Sequence, residues 1–582
     1  MSRRSTFARI RRLALALVAC FLFAIVAPLY FADRRSDEPF AISSVMASPQ
    51  DLHVLSSPVR LSEAPDITLV RGVTYVYASS VGGASVSNVV LEGAVFTLNA
   101  GGLRASGSVE AGGPGEDAVA PLIGRIAELG FDRLLVRRGT VHVTASDGSL
   151  ETLADLQAEI TGRRKGQVSA RGTFSYRGQR LAFDATVGQA ADKKNPLRWP
   201  FKASIKGSPL SATFDGQVDV EEDLQLVGDA EVAITSLRRA GRWFGIPLLA
   251  AEGFNATSIK GMFTWARRSL AFEKVKVVVD GNEGNGRLAL NIGGDRPQID
   301  ATLDFPSLDL LPYVEAARTQ FFGFEFSSTP WSSFDLSLPM IRHIDADLRI
   351  SARKVGFKGA AFGRGAATIT AQSGKLQADI TELELQTGTA AGQVTVIMSE
   401  PVPRYALRAK LENFDAAAAS TMLVGAPAVA GRATLALELT SSGYSAQEIM
   451  RRLSGKTALT IPEGRVGLDL KNLRGAGKPE AGRGWAGLAK SQSAVEKLEA
   501  RALIIDGVAF AESIRARAGN KDVSAFGRLG LSDGNMEMRV LMKSVPAPDQ
   551  ASNTTAVDTV TLRGSWSAPT VVEDADAATA PR

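Results

Sequence analysis

The sequence has few of the residues on which most metal and redox sites depend. It contains one cysteine, Cys20, and three histidines, His53, His142 and His343, widely spaced in a chain of 582 residues. Because a structural zinc site needs several Cys or His ligands close together, we expect no metal site. A single cysteine forms no intramolecular disulfide, and a chain of this length can build a core without one.

Tyrosine and tryptophan are also scarce, at seven and six residues. An enzyme of polysaccharide metabolism would need clustered carboxylates and aromatic platforms for sugar rings, whereas these residues are scattered. The segment GRGWAG, 482–487, matches GxGxxG but lacks a preceding buried strand, and no nucleophile elbow is present. We therefore expect no catalytic residue and no cofactor, in a protein that is not an enzyme.

Most of the chain lacks an excess of positive charge. Lys and Arg total 66 against 61 Asp and Glu, but five arginines lie before the first apolar run, and without them the two signs balance. Nucleic-acid binding requires a basic surface that neutralises phosphates. We therefore expect no nucleic-acid partner.

One long apolar run is present near the N-terminus. Residues 13–31, LALALVACFLFAIVAPLYF, carry no charge and are long enough to span a membrane. The basic residues 1–12 predict, by the positive-inside rule, a cytoplasmic N-terminus and an exported remainder. The large apolar side chains expected to face lipid are Leu13, Leu15, Leu17, Phe21, Phe23, Ile25, Leu29 and Phe31.

Two other interpretations of this run stay open. A cleaved signal peptide needs small residues before the cleavage site, but cleavage after Ala32 or Ala27 would place Tyr30 or Ile25 there. A lipoprotein would be lipidated at Cys20, but the apolar run continues for eleven residues beyond it. We favour an uncleaved anchor.

The rest of the chain alternates apolar and polar residues between glycines, which predicts a mainly β protein. In RLAFDATVG, 180–188, Leu181, Phe183 and Val187 share one face of a strand, with Arg180 and Asp184 on the other. The segment LALNIGGDRPQIDATLDF, 288–305, predicts a hairpin about its glycine turn. VKVVVDGNEGNGRLALNI, LELQTGTAAGQVTVIM and IRARAGNKDVSAFGRLGL are interpreted as diverged hairpin repeats. Such repeats predict a long sheet in which strands adjacent in sequence pair.

The segment GKTALTIPEGRVGLDL, 455–470, predicts two short strands about a Pro-Glu-Gly turn. Alternation places Asp469 on the polar face of the second strand, so we expect a structural role for it. Helices are predicted near SAQEIMRRL, where Ser445 and Glu448 fit a capping box, near DAVAPLIGRIAELG and near SAVEKLEA. Each is expected to cover an end or an edge of the sheet.

Four blocks in order resemble the AsmA family of bacterial envelope proteins, which is related to bridge-like lipid transfer proteins. The first is the apolar run. The others are GDRPQIDATLDFPSLDLLPYVEA, PWSSFDLSLPMIRHIDADLRISARKVGFKG and YSAQEIMRRLSGKTALTIPEGRVGLDL. The last block is similar to a family pattern that Gly455, Gly464, Gly467, Asp469 and Leu470 follow.

The resemblance implies a single-pass protein of the bacterial inner membrane that acts in outer-membrane biogenesis. It also implies a periplasmic β region at 33–285 and an AsmA-like β region at 286–570. The composition of the C-terminal residues, which include EDADAATAPR, predicts a disordered tail at 571–582. The sheet is expected to be long and curved, forming an apolar groove for phospholipid with a few capping helices. An assembly factor that binds an outer-membrane or envelope protein is the alternative. The candidate lipid-facing residues are Leu181, Phe183, Val187, Leu288, Leu290 and Ile292.

Overall fold

The structure is a computed structural model of the chain. It describes residues 54–55, 74–78, 86–93, 95–99, 133–144, 150–163, 167–188, 198–219, 225–244, 253–266, 269–291, 296–313, 331, 333, 338–342, 344–357, 360–467, 492–545, 557–565 and 568–573.

The chain divides into two compact units. Unit 1 comprises residues 1–249 and 254–302, and unit 2 comprises residues 250–253 and 303–582. Both consist mainly of antiparallel strands with few short helices, which confirms the mainly β fold class expected from the alternating pattern.

The strands described in unit 1 run from β1 to β14, and β15 crosses the division between the units. They are β1 (Val54–Leu55), β2 (Thr74–Ala78), β3 (Val86–Glu92), β4 (Val95–Asn99), β5 (Arg133–Thr144), β6 (Leu150–Arg163), β7 (Gln167–Tyr176), β8 (Gln179–Val187), β9 (Arg198–Gly207), β10 (Leu210–Asp219), β11 (Gln225–Ile234), β12 (Thr257–Ala266), β13 (Ser269–Val279), β14 (Asn282–Asn291) and β15 (Gln298–Phe305). Helix α1 (Leu237–Phe244) lies between β11 and β12.

From β5 to β14, each strand pairs antiparallel with the next, as the hairpin repeats predict. The turn between β13 and β14 shows the local cause. Asp280 and Gly281 both have positive φ, at 50° and 84°, as a two-residue hairpin turn of type I′ requires. The Asp280 carboxylate also accepts hydrogen bonds from the backbone N–H groups of Phe254 and Asn255, at 2.6 and 2.8 Å.

The first strands depart from the prediction that sequence neighbours pair. Strands β3 and β4 both pair in parallel with β5, one beyond the other along its length. Gly93 lies between them at φ 67°, and its N–H donates to the Arg137 carbonyl at 2.8 Å. A parallel pair needs a long connection, which the 33 residues from 100 to 132 provide.

The described part of unit 2 contains the remaining strands, two helices described over their full length, three helical residues at 311–313 and one 3-10 turn. The strands are β16 (Leu308–Asp309), β17 (Asp345–Ala352), β18 (Val355–Phe357), β19 (Ala360–Phe362), β20 (Gly365–Gln372), β21 (Lys375–Glu384), β22 (Thr389–Ile397), β23 (Arg404–Asp415), β24 (Val429–Ser442), β25 (Ser454–Ile461), β26 (Gly464–Val466), β27 (Ser493–Val495), β28 (Lys497–Ile505), β29 (Val508–Ala518), β30 (Lys521–Gly530), β31 (Asn535–Ser544), β32 (Val557–Ser565) and β33 (Ala568–Glu573). The helices are α2 (Ala416–Val424) and α3 (Ala446–Arg451), and the 3-10 turn is Pro339–Arg342.

The main ladder of unit 2 is antiparallel throughout and runs in the order β17, β20, β21, β22, β23, β24, β25, β28, β29, β30, β31, β32, β33. A small sheet of β16, β18 and β19 accompanies it. The predicted hairpin repeats at β21 and β22, and at β29 and β30, are confirmed.

The Pro-Glu-Gly turn reverses no strand. Both β25 and β26 pair antiparallel with β24, at successive positions along it, so Pro462 and Glu463 interrupt one strand that continues in the same direction. Proline lacks the N–H that a ladder needs, which explains the interruption. On the far side, β27 pairs with β26 and β28 with β25, with Glu496 at the matching break.

The helix predicted near SAVEKLEA, 493–500, is wrong, because β27 and β28 occupy it. Val495 and Leu498 are both buried, three residues apart, which resembles a helical spacing. The break at Glu496 shifts the alternation by one residue and produces that spacing in a strand. The helix near SAQEIMRRL is confirmed as α3, since the Ser445 hydroxyl accepts from the Glu448 N–H at 3.3 Å and the Glu448 carboxylate from the Tyr444 N–H at 3.0 Å.

Several predictions fall on residues outside the described ranges. These are the anchor at 13–31, the helix near 117–130, the GRGWAG segment and Asp469. Within the described residues, no helix is sufficiently long and apolar to cross a membrane. The predicted disordered tail begins too early, because residues 571–573 belong to β33, where Val571 pairs with Leu562.

Candidate functional site

An apolar strip crosses eleven strands of unit 2, from β17 to β31. It consists of two adjacent rows of residues that lie opposite one another from strand to strand. The first row is Leu348, Ile369, Ala378, Val394, Leu407, Leu439, Gly455, Ile504, Ala509, Leu529 and Met536. The second row is Ile350, Ala367, Ile380, Gly392, Ala409, Leu437, Thr457, Ala502, Ala511, Gly527 and Met538.

The strip carries no charge, and Thr457 is its one polar residue. At a spacing of about 4.8 Å between strands, its ten intervals extend roughly 48 Å across the ladder, and the two rows are about 7 Å apart along each strand. Its residues are half-buried, except for Ile504, which is buried, and Ile380, which is 38% exposed. A sheet face covered by a second layer would bury such residues fully, so the strip offers apolar surface to a ligand.

Buried residues close one side of the strip near its β20 to β24 portion. Ile341 of the 3-10 turn packs with Val396 and Met398, and Tyr405 is half-buried against this group. Tyr405 also contacts the small cluster around Ile449 of α3. Helix α3 therefore lies at the margin of the strip, beside Tyr405.

The opposite side is closed by two further clusters. At β17, Ala352 packs with Phe305 and Val355, which belong to the segment around the small sheet. At β23 to β25, Phe414 and Ile461 join a larger cluster that includes the first residue of α2. Asp415 caps α2, because its carboxylate accepts from two backbone N–H groups at the start of the helix. The two rows thus form an apolar path with buried residues along part of each side.

The other face of the same strands is polar and largely charge-paired. Glu438 on β24 lies opposite Lys456 on β25 and forms an ion pair with it at 2.9 Å. The hydrogen bond from Lys456 lowers the pKa of the Glu438 carboxyl. Hydrogen bonds from Gln377 and Gln393 likewise lower the pKa of Asp379 on β21. Both acids therefore stay ionised at neutral pH. This face is charged and solvated, whereas the face that carries the strip is apolar.

The structure places three predicted lipid-facing residues together on β8. Leu181, Phe183 and Val187 share one face, as the alternation predicts, and are buried, with exposures of 3%, 7% and 0%. The Phe183 ring lies 6.0 Å from that of Phe174 on β7. Because these side chains are enclosed by protein, they offer little surface to a ligand in this structure.

The other three predicted residues lie at or beyond β14. Leu288 and Leu290 are half-buried and face Phe272 and Leu270 on β13. Ile292 lies outside the described residues. Contact of all six residues with lipid stays a prediction.

Sequence reasoning missed the strip of unit 2, although its signal was present. The segment YALRAKL alternates Leu407 and Ala409 with Arg408 and Lys410, and ATLALEL alternates in the same way. What the sequence did not supply was the register, which turns separate alternating segments into two continuous rows.

No protein-family model matches this chain, and no curated protein or solved structure matches it.

Proposed function

We propose that the chain carries phospholipid along the apolar strip of unit 2. The observation that carries this proposal is the unbroken register of the strip, which continues over eleven strands without a charged residue. The resemblance to AsmA proteins supports the same assignment. No chemical step is involved, so the protein acts as a carrier and not as an enzyme.

The energetics favour acyl chains as the ligand. Exposing a sixteen-carbon chain to water costs on the order of 12 kcal/mol, at about 0.8 kcal/mol per CH₂. A continuous apolar surface removes most of that cost at every position along it. A charged headgroup would remain outside the strip, in water, because burying an unpaired charge is costly.

The proposed setting is the bacterial inner membrane, with residues 13–31 as the anchor and the main body in the periplasm. The five arginines before the apolar run support this orientation. Sequencing the N-terminus of the mature protein tests the anchor. A start between Ala27 and Ser48 would show cleavage and overturn it, although export would stand.

Photo-crosslinking in cells tests the path itself. A photoreactive residue at Leu407, in the strip, should capture phospholipid, whereas one at Arg408 should not. The two positions are adjacent on β23, and their side chains lie on opposite faces of the sheet. The two probes therefore differ in the face that they sample and have nearly the same position along the strand. Equal capture at both positions, or capture at neither with normal expression, would overturn the proposal.

An assembly factor is the second candidate, and one observation favours it. Leu503 and Phe510 lie opposite each other on the polar face of β28 and β29, and are 38% and 42% exposed. Exposed apolar pairs on a polar face are typical of protein contacts. Recovery of an envelope protein without lipid from the purified chain would favour this candidate over the carrier.

A further inference from the structure

The polar face of β28 to β31 contains an open pocket of about 420 Å³. The pocket lies at one end of these strands, and Leu503 and Phe510 lie at the other end. Four cations line it: Lys497, Arg515, Arg517 and Lys543. Two acids, Glu499 and Asp522, and the hydroxyl-bearing Ser524 complete its polar lining. The pocket therefore has a formal excess of two positive charges, in a chain whose charges otherwise nearly balance.

The register of the pocket contains one like-charged pair, because Lys497 on β28 lies directly opposite Arg517 on β29. Acids lie opposite the other cations, with Glu499 opposite Arg515 and Asp522 on β30 opposite both Arg517 and Lys543. Like charges directly opposite each other destabilise a sheet. Elsewhere on this face, cross-strand neighbours of opposite charge form ion pairs, as Lys456 does with Glu438 at 2.9 Å.

The acids of the pocket neutralise its cations only in part, because four cations face two acids. Glu499 pairs with Lys497 at 2.6 Å, and Arg517 is 3.7 Å from Glu496. Arg515 and Lys543 form no ion pair within 4.0 Å with any residue that the structure describes. Two cations with free donors thus face the same pocket.

We infer that this pocket binds a phosphate-bearing group, with Arg515 and Lys543 as its principal ligands. A guanidinium offers two parallel donors to a phosphate, and an ammonium adds a compact charge beside it. The bound phosphate would offset the formal excess of positive charge in the pocket. The group is either free phosphate or the headgroup of an anionic lipid. The site lies on the face opposite the apolar strip and does not depend on the strip's function.

Calorimetry with the full chain in an uncharged maltoside detergent tests this inference. The titrants are inorganic phosphate and, below its micelle concentration, dihexanoyl phosphatidylglycerol. The pocket variant is Arg515→Gln with Lys543→Gln, which removes two cations without orphaning an ion-paired acid. The matched control is Arg408→Gln with Lys375→Gln, which removes the same charge from the polar face of β23 and β21 and also leaves no ion-paired acid without its partner.

We expect saturable binding to the unaltered chain that weakens at least tenfold in the pocket variant and less than twofold in the control. The comparison uses only the binding that the pocket variant loses. If that binding is tighter for the lipid than for inorganic phosphate, a headgroup is the source, and if it is equal or weaker, free phosphate is the source. Saturable binding of neither titrant, or equal weakening in both variants, would overturn the site. Ile380→Asn, in the strip, should leave the binding of inorganic phosphate unchanged, which separates the test from that of the carrier.

Discussion

Ile380 on β21 lies opposite Gly392 on β22, where the partner has no side chain to cover it. It is 38% exposed, the most exposed residue of the strip. Ile380→Asn should therefore lower the amount of lipid that co-purifies with the chain, because a polar group would interrupt the apolar path. The loss of stability should be about 1 kcal/mol or less, as for other exposed positions.

The control for this change is Ile505→Asn, on the opposite face of the sheet. Ile505 is 48% exposed, so the substitution has the same chemistry at a similar exposure. Mass spectrometry of bound lipid should distinguish the two variants. Equal lipid content in both would count against the strip as the binding surface.

Gly455→Ala should destabilise unit 2 markedly. Gly455 has φ 149°, and a Cβ atom there would lie 2.0 Å from the backbone oxygen of Glu438. We expect a loss of about 3 kcal/mol or more, since both the backbone and the neighbouring strand must move. Gly519→Ala is the matched control, because Gly519 has φ 57° with nothing within 4 Å of the new atom. It should cost only about 1 to 2 kcal/mol, and thermal unfolding of both variants measures the difference.

Glu384→Gln should lower the melting temperature at neutral pH but not in acid. The backbone N–H and the guanidinium of Arg364 donate to the Glu384 carboxylate at 2.8 to 3.0 Å and lower its pKa. An acid with a lowered pKa stabilises the fold above its unfolded pKa, and this contribution is lost as the pH falls through the folded pKa. The difference between the variant and the unaltered chain should therefore shrink below about pH 4. A difference that stays constant from pH 7 to pH 3 would contradict this assignment.

Phe183→Ala should destabilise unit 1 by about 3 to 5 kcal/mol, because removing a buried aromatic ring leaves a cavity. The ring is 7% exposed, and its Cε1 atom lies 2.9 Å from the position that a Cβ atom on Gly172 would occupy. Asp184→Asn changes the exposed neighbour and should cost little. Denaturant unfolding compares the two, and a similar small loss for both would show that Phe183 is less enclosed than the structure indicates.

Alternation predicted which side chains share a face but not how deeply a face is buried. The pattern of RLAFDATVG is the same kind as that of YALRAKL, yet Phe183 is buried and Leu407 is half-buried. Burial depends on what packs over the sheet, and that layer comes from distant residues. The β class and the hairpins follow from local periodicity, whereas the candidate site depends on tertiary packing.

Breaks in strands were the other source of error. Pro462 and Glu463 have the composition of a reversing turn, but β26 continues along β24. The break at Glu496 shifts the alternation by one residue between β27 and β28. As a result, the buried residues Val495 and Leu498 are three positions apart, which is also the spacing of one face of a helix. A local pattern does not distinguish a turn from an interrupted strand, because the difference lies in the partner strand.

The pairing of β26 with β27 fixes both ends of the sequence that connects these two strands. Val466 at the end of β26 lies opposite Ser493 at the start of β27, so the two ends of the intervening sequence are held at cross-strand neighbours. The free energy of connecting two fixed ends rises slowly with the length of the connection, by about 0.6 kcal/mol for each doubling. We therefore expect a fluorescent or affinity module inserted between Gly467 and Gln492 to leave the register of β24 to β28 unchanged.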